Sequence, residues 1–222
     1  MRTFGLLAAG LAGLLLAAGC GTVSAVRPLR REQSAVALSV GGPVAKVSGM
    51  DIPLPYAVLR YRYGVNDRFG LYAGGHLLQA ALGNVVFDGG FSYHFVEQAG
   101  LVPAVGASGG VVAFLKPGSG GESAVFPQVD LTASWLAGGR SLTYLGMQSM
   151  YQFDDRPYFA FAPFVGEEVR LGERFSLCVE AKWYGAGEPT RPRTIDYRLP
   201  LGGTGAVGFV LGANYHIGGW YE

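Results

Sequence analysis

The chain has 222 residues, 17 Lys and Arg against 16 Asp and Glu, and a formal net charge of +1, which leaves no general basic field for nucleic acid. Half of the residues are hydrophobic and 15% are charged, against about 25% charged in an average soluble domain, so a soluble globule would have trouble covering its surface with polar groups. Glycine, at 36 residues, is more than double its usual share of about 7%.

The first segment has three parts. Met1 and Arg2 make a positive start, Phe4 to Leu16 is apolar, and Ala17, Ala18 and Gly19 precede Cys20. Residues 1–19 therefore read as a secretory signal peptide, too short and wrongly flanked for a permanent membrane span. The small residues before Cys20 resemble the bacterial lipobox, in which the cysteine receives a diacylglycerol. The resemblance implies lipidation at Cys20, residues 20–32 as a lipid-anchored tether, and residues 33–222 as the folded part. Ala17 departs from the lipobox leucine, with Leu16 one place early, and Val23-Ser24-Ala25 offers an ordinary cleavage site that would discard Cys20. Either route exports the chain. In lipoproteins similar to this one an aspartate after the cysteine retains the protein at the inner membrane; Gly21 stands there, which implies the outer membrane. With Cys20 lipidated, Cys178 has no partner for an internal disulfide.

After the leader no apolar run approaches the roughly 18 residues of a spanning helix. Period-2 alternation recurs instead between glycine-rich or acidic turns, which predicts about ten strands near 34–41, 55–63, 69–80, 85–95, 102–115, 124–137, 142–153, 158–170, 174–184 and 204–217. Each has two unlike faces. Phe91, Tyr93 and Phe95 oppose Asp88, Ser92 and His94; Val125, Val129, Leu131, Ala133 and Trp135 oppose Gln128, Asp130, Thr132 and Ser134. Phe175, Leu177, Val179, Ala181 and Trp183 oppose Ser176, Cys178, Glu180, Lys182 and Tyr184; Val207, Phe209, Leu211, Ala213, Tyr215 and Ile217 oppose Gly208, Gly212, Asn214 and His216. Most predicted strands exceed the five or six residues of ordinary sheets and suit a tilted bilayer crossing. Short connections between neighbours predict an all-β fold, a single up-and-down antiparallel barrel of about ten strands, with eight as the alternative count.

Two barrels use such strands. A soluble lipocalin-like barrel turns its apolar face inward; a transmembrane barrel turns it to lipid. A water-facing surface carries many lysines and glutamates, whereas here the second face is mostly glycine, serine, threonine, glutamine and alanine, which suits a crowded interior. Aromatic residues on the apolar face fall near strand ends, at Trp135, Trp183, Tyr93, Phe95, Phe159 and Tyr215, as in the girdles of membrane barrels. Alternate connections also differ: 42–54 and 185–203 are the longest, while 64–68, 96–101, 138–141 and 171–173 are all short. A periplasmic N-terminus then puts the long set outside, with the C-terminus returning beside Cys20.

On these residues the chain resembles small bacterial outer-membrane β-barrels of the porin-like or outer-membrane-protein-A-like superfamily, with no subfamily matched. Its final strand, "VLGANYHIGGWYE", is similar to the signal such proteins present to the barrel insertion machinery, although it ends Trp220-Tyr221-Glu222 without a terminal phenylalanine. The resemblance implies outer-membrane lipids and that machinery as partners.

Eight or ten strands enclose little more than side chains can fill. The predicted inward charges are Arg60, Arg62, Asp88, His94, Asp130, Glu168, Arg170, Glu180 and Lys182; unpaired, each would cost several kcal/mol, so a paired polar network is expected, serving an envelope-structural or narrow-conduit role. A lipid-binding soluble barrel lipoprotein is the alternative reading, and an envelope lipid or peptide hydrolase the third. Catalysis finds no set of residues: Ser92 and His94, two apart on a strand, are separated by roughly 6.5 Å, the residue patterns of lipid A deacylase barrels and outer-membrane proteases are absent, and Asp154-Asp155 reads as turn chemistry ahead of Pro157. His76, His94 and His216 are too scattered for a metal site, and no cofactor is expected. In "EPTRPRTIDYRLP", Arg191, Arg193 and Arg198 have the chemistry to bind phosphates of lipopolysaccharide or an envelope protein, or simply belong to a solvated loop.

Overall fold

The structure is a computed structural model; it describes residues 23–47, 50–53, 56–81, 83–115, 123–153, 158–189, 196–197 and 200–220. In chain order the elements are β1 (Ser34–Val47), β2 (Met50–Pro53), β3 (Tyr56–Gly64), β4 (Phe69–His76), α1 (Leu77–Ala81), β5 (Val85–Val96), β6 (Ala104–Leu115), β7 (Ala124–Ala137), β8 (Ser141–Gln152), β9 (Tyr158–Arg170), β10 (Phe175–Pro189), β11 (Asp196–Tyr197) and β12 (Thr204–Ile217). Ten of them form the wall, each antiparallel to its neighbours, in the order β1, β3 through β10, β12. The sheet closes because β1 pairs on both edges, Ser34 opposite Ile217 on β12 and opposite Tyr63 on β3. Closure gives each of the ten wall strands a partner on both sides, which an open sheet cannot do. The short strands β2 and β11 lengthen the ribbon at the far end of β1.

The alternation read from sequence is the alternation of the wall. Along β10, Leu177 and Val179 are exposed, whereas Ser176, Cys178, Glu180 and Lys182 are buried, Glu180 at 0% and Lys182 at 1% exposure. On β5, Phe91, Tyr93 and Phe95 point outward and Asp88, Ser92 and His94 inward; on β12, Phe209, Tyr215 and Ile217 oppose Asn214 and His216. The molecule is thus a closed ten-stranded barrel turned inside out relative to a soluble one, of the outer-membrane type. Twelve residues tilted by about 40° rise about 30 Å, the thickness of a hydrocarbon core. No helix among the described residues is long and apolar enough to cross a membrane.

Three boundaries differ from the sequence reading. The strand expected over 69–80 stops at His76, because Leu77–Ala81 are good helix formers that close one turn; Gly83, at φ +79°, and Asn84 end it with bonds from their N–H groups to Ala80 O and Gln79 O. The first strand runs past 41 to Val47, as β2 and β11 give its outer half partners. The ninth predicted segment, near 174–184, extends to Pro189 through a register shift after Tyr184.

Candidate functional site

Of the tether expected over residues 20–32, the described part begins inside the barrel: Ser24, Val26, Pro28 and Leu29 are buried. Four strands that are not neighbours hydrogen-bond to this stretch. Arg60 on β3 donates to Val23 O (3.2 Å), and Arg62 donates to Arg27 O. His94 on β5 meets Val26 O at 2.9 Å; a carbonyl only accepts, so that Nε2 carries the hydrogen. The Ser24 N–H donates to Glu180 on β10 (3.1 Å), and the Arg27 guanidinium donates to Ser134 on β7 (2.9 Å) and to Gln98 (2.7 Å). Only the lumen touches β3, β5, β7 and β10 at once. On β12 the wall makes room with Gly212, where a Cβ would lie 2.7 Å from Val23 Cγ2. At the rim it does so with Gly64, where a Cβ would lie 2.0 Å from Arg30 O. The segment leaves past Gly64, which exchanges backbone bonds with Glu32 and Gln33, and feeds β1. Arg30 and Arg31 are exposed there.

The predicted inward charges sit around this segment. Arg60 pairs with Asp88 and lies over the Tyr72 ring at 4.7 Å; His76 Nε2 is 3.9 Å from the same carboxylate. Lys182 pairs with Glu180 at 2.9 Å and lies 5.0 Å over the Phe164 ring. Asp130 accepts from Ser108 (3.0 Å) and Gln128 (3.1 Å). Glu168 accepts from Ser176 (2.5 Å) and Asn214 (2.6 Å), with His216 Nε2 at 3.4 Å. Arg170 differs: it is half-buried at the end of β9, and its Nε donates to Gly172 O in the following turn. Cys20, Arg191, Arg193 and Arg198 lie outside the described residues.

The sequence reading missed the apolar part of the lumen. Val26 packs with inward-facing Leu142, Tyr144 and Phe164 and with Trp220, which folds back from the end of β12 to meet His216 edge-on. Tyr144 and Phe164 sit on strands with apolar residues on both faces, which blurs the two-face pattern, and each ring lies across a glycine of the neighbouring strand, Gly166 and Gly146. The inward glycines beside the N-terminal segment were the available signal: they mark space that something other than wall side chains fills.

Ser176, His216 and Glu168 gather residue types used in acyl transfer. Ser176 Oγ lies 3.1 Å from His216 Nε2 and donates to Glu168 rather than to the imidazole. All three are buried, and the adjoining cavity, between the N-terminal segment and Arg60, Glu168 and Asn214, holds about 20 Å³, space for one water. A substrate carbonyl has no place beside this serine.

No family model matches the sequence, and no curated protein matches it. Solved structures similar to it include the translocator domain of autotransporter NalP from Neisseria meningitidis (9% identity, 83% of this chain and 88% of that chain, TM-score 0.45). Others are the outer membrane protease OmpT from Escherichia coli (9%, 84% and 94%, 0.41) and the outer membrane protein OprG from Pseudomonas aeruginosa (9%, 86% and 99%, 0.32).

Proposed function

We propose that this chain is a bacterial outer-membrane β-barrel, exported by a lipoprotein-type leader, whose role is structural: a closed stave of the envelope with a filled lumen. One observation carries the reading. The interior holds a peptide segment and a paired charge network where a porin holds water, while the outer face presents leucine, valine and phenylalanine that only hydrocarbon accommodates. A lipid-binding soluble barrel needs the reverse arrangement. The partners this reading implies are outer-membrane lipids, the barrel insertion machinery acting on the last strand, and lipopolysaccharide or an envelope protein at the arginines of the 185–203 connection.

The polar lining also favours a second reading, a narrow conduit, and one pair of measurements separates the two. Folded protein that migrates faster unboiled than boiled, and gives no current steps in planar bilayers, supports the structural role. Steps from the same heat-modifiable band would replace it with the conduit. Solubility of the exported chain without detergent would overturn both.

A further inference from the structure

We propose that the lumen is a binding site for an extended polypeptide, occupied in cis by Val23–Leu29, and that this segment is a detachable occupant rather than part of the wall. The contacts point to this. Wall side chains grip the segment mainly by its backbone: Arg60, His94 and Arg62 donate to the carbonyls of Val23, Val26 and Arg27, and Glu180 accepts from the Ser24 N–H. Backbone recognition from fixed side chains needs an extended chain, since a helix spends these groups on itself. The wall residues are held in place by other partners, Arg60 by Asp88, Glu180 by Lys182 and by Tyr144, so the site is built independently of its occupant.

Charge agrees. Among the described residues three buried wall cations, Arg60, Arg62 and Lys182, face four buried carboxylates, Asp88, Asp130, Glu168 and Glu180. The segment brings Arg27, whose guanidinium is fixed by Ser134 and Gln98, and so restores formal neutrality. Shape agrees as well. The nearest atoms to a Cβ at Gly64 or Gly212 are, respectively, Arg30 O, just past the segment, and Val23 Cγ2 within it. Its covalent link to the wall is the exposed Arg30-Arg31 at the rim. The ligand class is therefore an extended, non-helical peptide carrying one arginine.

Cys178 is a native reporter. It is buried beside Gly212, at the point where Val23 lies: a Cβ on Gly212 would be 2.7 Å from Val23 Cγ2 and 3.3 Å from Cys178 Cβ. The experiment uses the full chain folded in detergent, carrying Cys20→Ser and a specific-protease recognition sequence inserted between Arg31 and Glu32. Uncut, Cys178 is expected to resist a small polar maleimide. After cutting and dilution it becomes reactive, and a synthetic peptide of residues 23–29 restores protection. A peptide methylated at the Ser24 amide, unable to donate to Glu180, protects about tenfold less well, as loss of a hydrogen bond to a charged group implies. Protection that survives cutting and prolonged dialysis would make the segment a fixed part of the fold and overturn the proposal. Should the insertion prevent folding, Val23→Cys in the uncut Cys20→Ser chain is expected to lose both thiols on mild oxidation, through a disulfide to Cys178. Maleimide reaction of the uncut chain at the rate of denatured protein, failure of the peptide to protect a reactive cut chain, or no disulfide in the Val23→Cys chain would overturn the proposal.

Discussion

Asp88 shows what one residue does in this lumen. Its carboxylate holds Arg60, and Arg60 in turn holds Val23 O, so an ion pair on the wall positions the segment beside it. Both groups are out of water, and removing one partner of a buried pair costs about 3–5 kcal/mol because the other charge stays behind. Asp88→Ala is therefore expected to lower the unfolding free energy from urea titration in vesicles by that amount, and to raise Cys178 reactivity as the grip on Val23 loosens. Gly64 predicts the rise in reactivity with the barrel still folded. Any side chain there meets the backbone of Arg30, so Gly64→Val should expose Cys178 to maleimide while the barrel keeps its heat-modifiable band. Loss of the folded band in Gly64→Val, with no reactive folded protein, would show the segment to be needed for the wall itself.

At the scale of the strand, β10 tests the orientation of the whole sheet. Leu177 and Val179 point outward on either side of Cys178. Cysteines placed at either position should react with lipid-phase reagents in membranes, where Cys178 does not. A charge at mid-strand on the lipid face costs about 2–4 kcal/mol in a membrane barrel, so Val179→Arg should destabilise the protein in vesicles by that amount; in a soluble barrel the same change would be neutral. The strands were legible because period-2 patterning survives wherever one face is apolar and the other is not, as in "ERFSLCVEAKWYG". The last turns of β4 were not, since "HLLQAA" is apolar at both strand and helix spacing. The lumen's charges were legible as inward-facing, because a charge on the lipid side is too costly; their partners were not, because pairing across a barrel depends on register between distant strands. Ser176 and His216 met Glu168 only once β9, β10 and β12 had taken their places.

For the whole molecule, the N-terminal segment and the leader make incompatible demands. Val23 sits beside Gly212, five residues from the end of β12 at Ile217 and eight from its start at Thr204. At about 2.6 Å of axial rise per tilted residue, that is about 13 Å from one rim and about 21 Å from the other. Cys20 is three residues away, a reach of at most about 10 Å, and the wall between has no open edge to pass an acyl chain. A lipid on Cys20 needs a leaflet, so acylation and seating of Val23–Leu29 are expected to exclude one another: anchored molecules have a vacated lumen, and molecules that retain residues 20–29 without a lipid keep it filled. Cells grown with an alkyne fatty acid separate the two populations after capture on azide resin. The captured, folded fraction should alkylate at Cys178 with a small polar maleimide, and flow-through molecules whose intact mass shows that they retain Val23 should not. Equal protection of Cys178 in both fractions would mean that a lipid-bearing N-terminus finds its leaflet with the segment still in place.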